Sequence, residues 1–266
     1  ENCKFCAQSA HNHTDADTYP LLSKEEILAD AKKQAAQGVL RYSIVTAGKA
    51  LSDAEIDIMC DTIRQIRQET TLSVCVSFGL LTESQFCRLK EPGVSRVHNN
   101  LETSERHFPN ICTTHTFADK VSAIQAAQQA GLTVCSGGIM GMGETMADRI
   151  DMALALRDLG ITSVPVNVLN PIPGTPFGEY PTLSEEEVLG ILALYRFLLP
   201  AASIRMAGGR GLLPDGGKSC FLSGANAAIT GDMLTTAGIT VQTDLQMLTE
   251  LGYEVKLDET TDDHRH

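Results

Sequence analysis

The chain alternates between helices announced by one capping signature and short apolar runs. Ser23 with Glu26, Ser52 with Glu55, Thr82 with Gln85, and Ser184 with Glu187 each set a hydroxyl three residues before an acid or amide. In that arrangement the hydroxyl accepts an orphan N–H of the first turn and the acid or amide reaches back to the cap backbone. After Ser52, the residues Ile56, Met59, Cys60 and Ile63 recur at i, i+3, i+4 and i+7. Val188, Ile191, Leu192 and Tyr195 repeat the pattern after Ser184, so each helix has one apolar face. Gly38, Gly131 and Gly160 stand where helices should stop.

The apolar runs cover 40–45, 72–76, 96–99, 132–135, 163–168, 203–206 and, less clearly, 225–230. They are nearly continuous rather than alternating, as suits strands buried on both faces. Strand and helix in strict alternation mean parallel pairing with right-handed crossovers. Seven runs are visible, whereas a closed (β/α)8 barrel has eight strands. The expected fold is therefore α/β, a TIM-type barrel whose first strand would precede Glu1. An open doubly wound sheet is the alternative, but no G-x-G-x-x-G turn follows the first run. The expected organisation is a single barrel domain over 1–257, incomplete at its N-terminus. A polar tail follows over 258–266, where His264 and His266 read as solvated.

Composition narrows the function. Lys and Arg number 21 against 33 Asp and Glu, a net charge of −12. That argues against a nucleic-acid phosphate footprint and against an anionic membrane surface. No apolar run reaches the roughly 20 residues of a membrane helix. The 8 cysteines are too few for a disulfide scaffold. In a cytoplasmic setting, the one expected here, they read as core thiols, metal ligands or catalytic groups.

Polar residues gather at the ends of the expected strands: Ser43, Cys75, Asn99, Asn100, Glu102, Cys135, Asn167 and Arg205. In a barrel those positions face the active site. Any one cysteine could be core filling, but an arginine interrupting an apolar strand is harder to dismiss. Cys3-Lys4-Phe5-Cys6 is a C-x2-C pair able to hold one corner of a metal site or cluster. Alone it is also compatible with a zinc half-site or a redox pair. From Cys135 to Glu144 a strand ends in cysteine and turns through Gly137, Gly138, Gly141 and Gly143, where the backbone could approach a ligand closely. The run lacks the Lys-Ser/Thr of a P-loop. Asn170-Pro-Ile-Pro-Gly-Thr-Pro176 reads as a rigid loop.

Taken together these segments resemble the radical S-adenosylmethionine enzymes, and among them the biotin synthase family. The resemblance runs from Glu1 to about Tyr253. It rests on Cys3-Lys-Phe-Cys6, on Gly137, Ile139, Gly141 and Glu144 of a G-x-I-x-G-x-x-E motif, and on His98-Asn-Asn-Leu-Glu-Thr-Ser104. Val164-Pro-Val-Asn-Val-Leu169 with Gly174-Thr-Pro176, and Ile204-Arg-Met-Ala-Gly-Gly-Arg210, complete it. It implies a 4Fe-4S cluster, S-adenosyl-L-methionine, and an auxiliary 2Fe-2S cluster that donates sulfur as dethiobiotin becomes biotin. It also implies a homodimer and an electron donor of flavodoxin or ferredoxin type.

By position, the resemblance makes Cys3 and Cys6 ligands of the 4Fe-4S cluster and sets Phe5 beside the adenine. Gly137, Gly138, Ile139, Gly141 and Glu144 would form the adenosine side, with Asn99 and Glu102 holding amino-acid or ribose groups. Asn100 and Asn167 would orient dethiobiotin, and Cys75, Cys135 and Arg205 would hold the auxiliary cluster. Two departures stand out. The family's first cluster cysteine would fall two residues ahead of Glu1, so the chain is expected to be N-terminally truncated. The family's further auxiliary cysteine is replaced by Ser43, a harder and less acidic ligand. Cys112 is the best spare thiol, Cys60 and Cys87 fall on expected helices, and Cys220 lies near the last expected strand.

Overall fold

Each of the four capping pairs starts a helix in the computed structural model, which describes residues 1–231 and 238–257. In chain order the helices are α1 (Lys24–Ala36), α2 (Asp53–Glu69), α3 (Glu83–Lys90), α4 (Phe117–Gln129), α5 (Met146–Asp158), α6 (Glu185–Leu198), α7 (Lys218–Leu222) and α8 (Val241–Glu250). The strands are β1 (Arg41–Val45), β2 (Ser73–Ser77), β3 (Val94–His98), β4 (Thr133–Cys135), β5 (Gly138–Met140), β6 (Ser163–Val168), β7 (Ser203–Met206) and β8 (Ala227–Ala228). Reciprocal capping boxes close the first turns of α1, α2, α3 and α6 as expected. A fifth, Thr145 with Asp148, opens α5. Here aspartate does what the longer acids do elsewhere. The expected tail over 258–266, with His264 and His266, lies outside the described residues.

The chain forms two compact units, each assembled from separated segments. The first comprises Glu1–Asp17, Asn100–Val121 and Cys135–Thr240; the second comprises Thr18–Asn99, Ser122–Val134 and the stretch from Val241 onward. In the second unit β1 pairs with β2 and β2 with β3, all parallel. The helix α2 presents Ile56, Met59, Cys60, Ile63 and Ile66 to the interior, matching the apolar face read from the sequence. Cys60 lies on α2 and Cys87 on α3, as expected.

In the first unit Cys135 pairs with Ser163, β5 and β7 both pair with β6, and β7 pairs with β8, again all parallel. The helix α6 buries Val188, Ile191, Leu192 and Tyr195. Two details depart from the sequence reading. The glycine turn after Cys135 contains β5, so two strands follow one another here with no helix between them. In β1 only Ile44 is buried, so it is not sheathed on both faces. Cys220, near the last expected strand, lies buried in α7 shortly before β8.

Candidate functional site

The segment bearing the C-x2-C pair is anchored at several points within the first unit. The Lys4 N–H donates to the Ile111 carbonyl at 2.9 Å, and the His13 N–H to the Gly174 carbonyl at 3.1 Å. A β-carbon at Gly174 would run into the His13 carbonyl, so the proline-rich loop needs glycine to receive this segment. Within the turn, Cys6 N–H donates to the Cys3 carbonyl at 3.2 Å. Asn12 Nδ2 donates to the carbonyls of Cys3 at 3.3 Å and Cys6 at 2.8 Å. The Cys3 and Cys6 carbonyls are thus engaged by the protein, and both thiols are half-buried.

Cys3, Phe5 and Ile139 all pack against one buried apolar cluster of Phe108, Ile111, Cys112, Met142, Leu169 and Phe177. Two motifs far apart in sequence, the cysteine pair and the G-x-I-x-G-x-x-E run, therefore meet on one apolar wall. The Cys3 thiol is also hydrogen-bonded to that of Cys112. Burial, then the neighbouring Cys112, pushes Cys3 far above the ordinary thiol range. Burial alone would raise Cys112 as well, but hydrogen bonds from Thr114 and from backbone N–H groups hold it below the ordinary value.

The glycine run is held by its neighbours. The Glu102 N–H donates to the Gly137 carbonyl and the Ile139 N–H to the Glu102 carbonyl, both at 3.0 Å. Glu102 is the one non-glycine residue with positive φ, 71°, among the described residues. Backbone strain of this kind persists only where the surroundings impose it. A β-carbon at Gly137 would collide with the Pro165 carbonyl, and one at Gly138 with the Glu102 carbonyl and with Met152 Sδ at 2.6 Å. These two glycines let strands of this chain approach one another. Asn100 fastens the same place: its Oδ1 accepts from Gly137 N–H at 3.1 Å and its Nδ2 donates to Glu102 Oε2 at 3.3 Å. Asn167 Nδ2 donates to the Gly138 carbonyl at 3.0 Å and its Oδ1 accepts from Gly208 N–H at 2.9 Å.

Glu144 is buried, and its carboxylate faces its own loop. Oε1 accepts from Gly141 N–H and from Arg149 Nε, each at 2.8 Å, and Oε2 accepts from Met142 N–H at 2.7 Å. It shapes the turn that holds Ile139 and Gly141. The partner Arg149, buried as well, was not singled out by sequence reasoning; its spacing of five from Glu144 carries no familiar signature.

The other expected metal residues fall into two sets, one in each unit. In the second unit Ser43 and Cys75 are register partners on β1 and β2, and Cys75 is in turn opposite the buried Arg96 of β3. Asn99 lies buried just beyond β3. In the first unit Arg205 Nη2 donates to Ser163 Oγ at 3.3 Å, and that hydroxyl donates to Cys135 Sγ at 3.2 Å. Ser163 links the two expected residues, and its only sequence signal was a hydroxyl at the head of an apolar strand.

A model of the radical SAM superfamily matches residues 1–156, and a model of the biotin and thiamin synthesis associated domain matches residues 165–254. The structure is similar to that of methylornithine synthase, with a TM-score of 0.83 at 19% identity over 96% of this chain and 79% of that one. It is also similar to the hydrogenase maturase HydG from Carboxydothermus hydrogenoformans, with a TM-score of 0.78 at 18% identity over 95% of this chain and 63% of that one. Fold and motifs together define a radical SAM enzyme, with the parallel α/β fold of that class.

In sequence the chain is 60% identical over 259 residues to the biotin synthase of Brachyspira hyodysenteriae, covering 97% of this chain and 78% of that protein. It is 57% identical over 257 residues to the biotin synthase of Akkermansia muciniphila, covering 97% and 80%. The chain belongs to the biotin synthase family. Among the described residues no helix is long and apolar enough to cross a membrane.

Proposed function

We propose that this chain converts dethiobiotin to biotin by radical SAM-dependent sulfur insertion, and that the residues above divide the work as follows. The observation that supports it best is the meeting of Cys3, Phe5 and Ile139 on one apolar wall. A 4Fe-4S cluster held by Cys3 and Cys6 would supply the one-electron reduction of the S-adenosylmethionine sulfonium that starts hydrogen abstraction from unactivated carbons of dethiobiotin. Cys3 and Cys6 fit two iron positions of that cluster, since both are thiols whose own carbonyls are already satisfied.

Phe5 and Ile139 would flank the adenine, with Gly137, Gly138, Gly141 and Glu144 shaping the loop that receives it. Glu102 and Asn99 would hold ribose or amino-acid groups. Asn100 and Asn167 each spend one amide hydrogen and the oxygen on the backbone or Glu102, and each amide has a second hydrogen. We assign those hydrogens to the ureido oxygen or carboxylate of dethiobiotin. The surrounding apolar wall keeps water from the radical.

Cys75 and Cys135 are buried thiols suited to an auxiliary 2Fe-2S cluster, with Arg205 and Ser43 as its non-thiol ligands. Ser43 fits such a site less well, because an alkoxide is a harder donor for iron. The electron donor would be a flavodoxin or ferredoxin, and the assembly a homodimer.

The test is to supply the cluster-loaded protein with S-adenosylmethionine, a reductant and dethiobiotin. Biotin and 5′-deoxyadenosine are expected together. 5′-Deoxyadenosine formed by a protein that does not bind dethiobiotin would assign it to a related radical enzyme with another substrate.

A further inference from the structure

Cys3, Cys112 and His115 present two sulfurs and one imidazole nitrogen that all lie within 4.8 Å of one another. Cys112 Sγ and His115 Nδ1 are 3.4 Å apart. A tetrahedral zinc with bonds of about 2.3 Å to sulfur and 2.0–2.1 Å to nitrogen sets these donors roughly 3.5 Å apart. One edge of such a tetrahedron is therefore already in place. Glu1 Oε2, 2.5 Å from the same nitrogen, holds the imidazole in place by a hydrogen bond. Cys112 and His115 are 3% and 7% exposed and Cys3 is half-buried, so two of the three donors are shielded from water.

The two strands of chain that bring the donors together are fastened to each other. Asn2 Oδ1 accepts from Thr113 N–H at 2.9 Å and Thr114 N–H at 3.2 Å, and Asn2 Nδ2 donates to Thr113 Oγ1 at 2.6 Å. With the Lys4–Ile111 backbone bond, these hold Cys3 against Cys112 whether or not a metal is present. Such preorganisation lowers the ordering cost of binding.

We propose that Cys3, Cys112 and His115 form a mononuclear site for a borderline-soft divalent cation of the Zn2+ class. The set includes Cys3 but not Cys6, so it differs from the cluster motif and does not depend on the proposed reaction. Because Cys3 serves both, the mononuclear metal and the 4Fe-4S cluster exclude one another. Binding converts the thiols to thiolates and releases their protons to solvent.

The test uses the full chain prepared without iron under anaerobic conditions and titrated with Co2+, whose thiolate charge-transfer and tetrahedral d–d bands report the donor set. One Co2+ per chain, displaced by Zn2+, is expected. The variants C112S and H115Q should bind at least about tenfold more weakly, while C6S binds like the parent. Circular dichroism of each cobalt-free variant should match the parent, separating ligand loss from misfolding. Absence of Co2+ binding would overturn the proposal, as would parent-like binding in C112S and H115Q with loss in C6S.

Discussion

Ser43 stands opposite Cys75 across the first two strands, as its register partner in a parallel pair. Neighbouring strands lie about 4.8 Å apart, and register partners share a face. A serine is thus set where a second thiol would lie beside Cys75. If Ser43 ligates an auxiliary cluster, S43A should change the Mössbauer spectrum of the reconstituted protein and lower its iron and sulfide content. S43C should raise cluster retention. Identical spectra for the parent and S43A would remove Ser43 from the ligand set.

Gly137 and Gly138 predict a sharp contrast with Gly190. Alanine at 137 or 138 drives a methyl into the carbonyl of Pro165 or Glu102, and overpacking of this kind costs about 1–3 kcal/mol or more. Gly190 lies inside α6 with nothing within 4 Å of an added methyl. G190A should stabilise by about 0.5–1 kcal/mol, since glycine in a helix interior is worse than alanine by that amount. Urea denaturation midpoints of the three variants should move in these opposite directions.

Glu144 predicts a local effect with a spectroscopic handle. Its side chain is 2% exposed and that of Arg149 9%. Removing one partner of a buried pair leaves the other charge uncompensated, at about 3–5 kcal/mol. E144A should therefore lower stability by an amount of that order and speed hydrogen exchange at the Gly141 and Met142 amides, whose acceptor it removes. Unchanged exchange at those two amides would mean that the carboxylate does not hold the loop.

Asp148 predicts acid sensitivity. Burial opposes its ionisation, but hydrogen bonds from Thr145, Ser104 and Arg106 outweigh that and hold the carboxyl well below the ordinary range. A depressed native value means that the unfolded chain binds the proton more readily. The stabilisation is therefore present above the unfolded value near 4 and fades as pH falls through the native one. D148N should lose about 2 kcal/mol at pH 7 through its cap and its Arg106 contact. It should also show a flatter stability profile between pH 5 and 2. A parent profile as flat as that of D148N would count against this assignment.

Much of the fold was legible because its signals are local. Ser52 and Glu55 need only a spacing of three to announce α2, and the run 163–168 is the strand β6. Thr145 with Asp148 uses the same spacing, but its acid is one carbon shorter than the Glu or Gln of the usual signature. The strand β5 was not legible because glycine has little strand preference; its extended form is set by Glu102, Asn167 and the bonds to β6. The residues expected or proposed to hold metal, with their neighbours, divide in the same way. Cys3 and Cys6 are legible as a pair within one turn, whereas Ser163 gains meaning only when Cys135 and Arg205 are seen on either side of it. Cys112 and His115 meet Cys3 only after the chain has doubled back, and no local pattern records that.

The anchoring of the cysteine turn also sets a timetable. His13 is fastened by Gly174, and Lys4 by Ile111. At about 5–20 residues per second of synthesis, the residues between His13 and Gly174 take roughly 10–30 s to emerge. Until Ile111 and then Gly174 have emerged, the two anchors of the turn cannot both form, and the Cys3 and Cys6 thiols meet whatever oxidants and metal ions the surroundings offer. An iron site on Cys3 and Cys6 would therefore be completed only after much of the surrounding fold has been made.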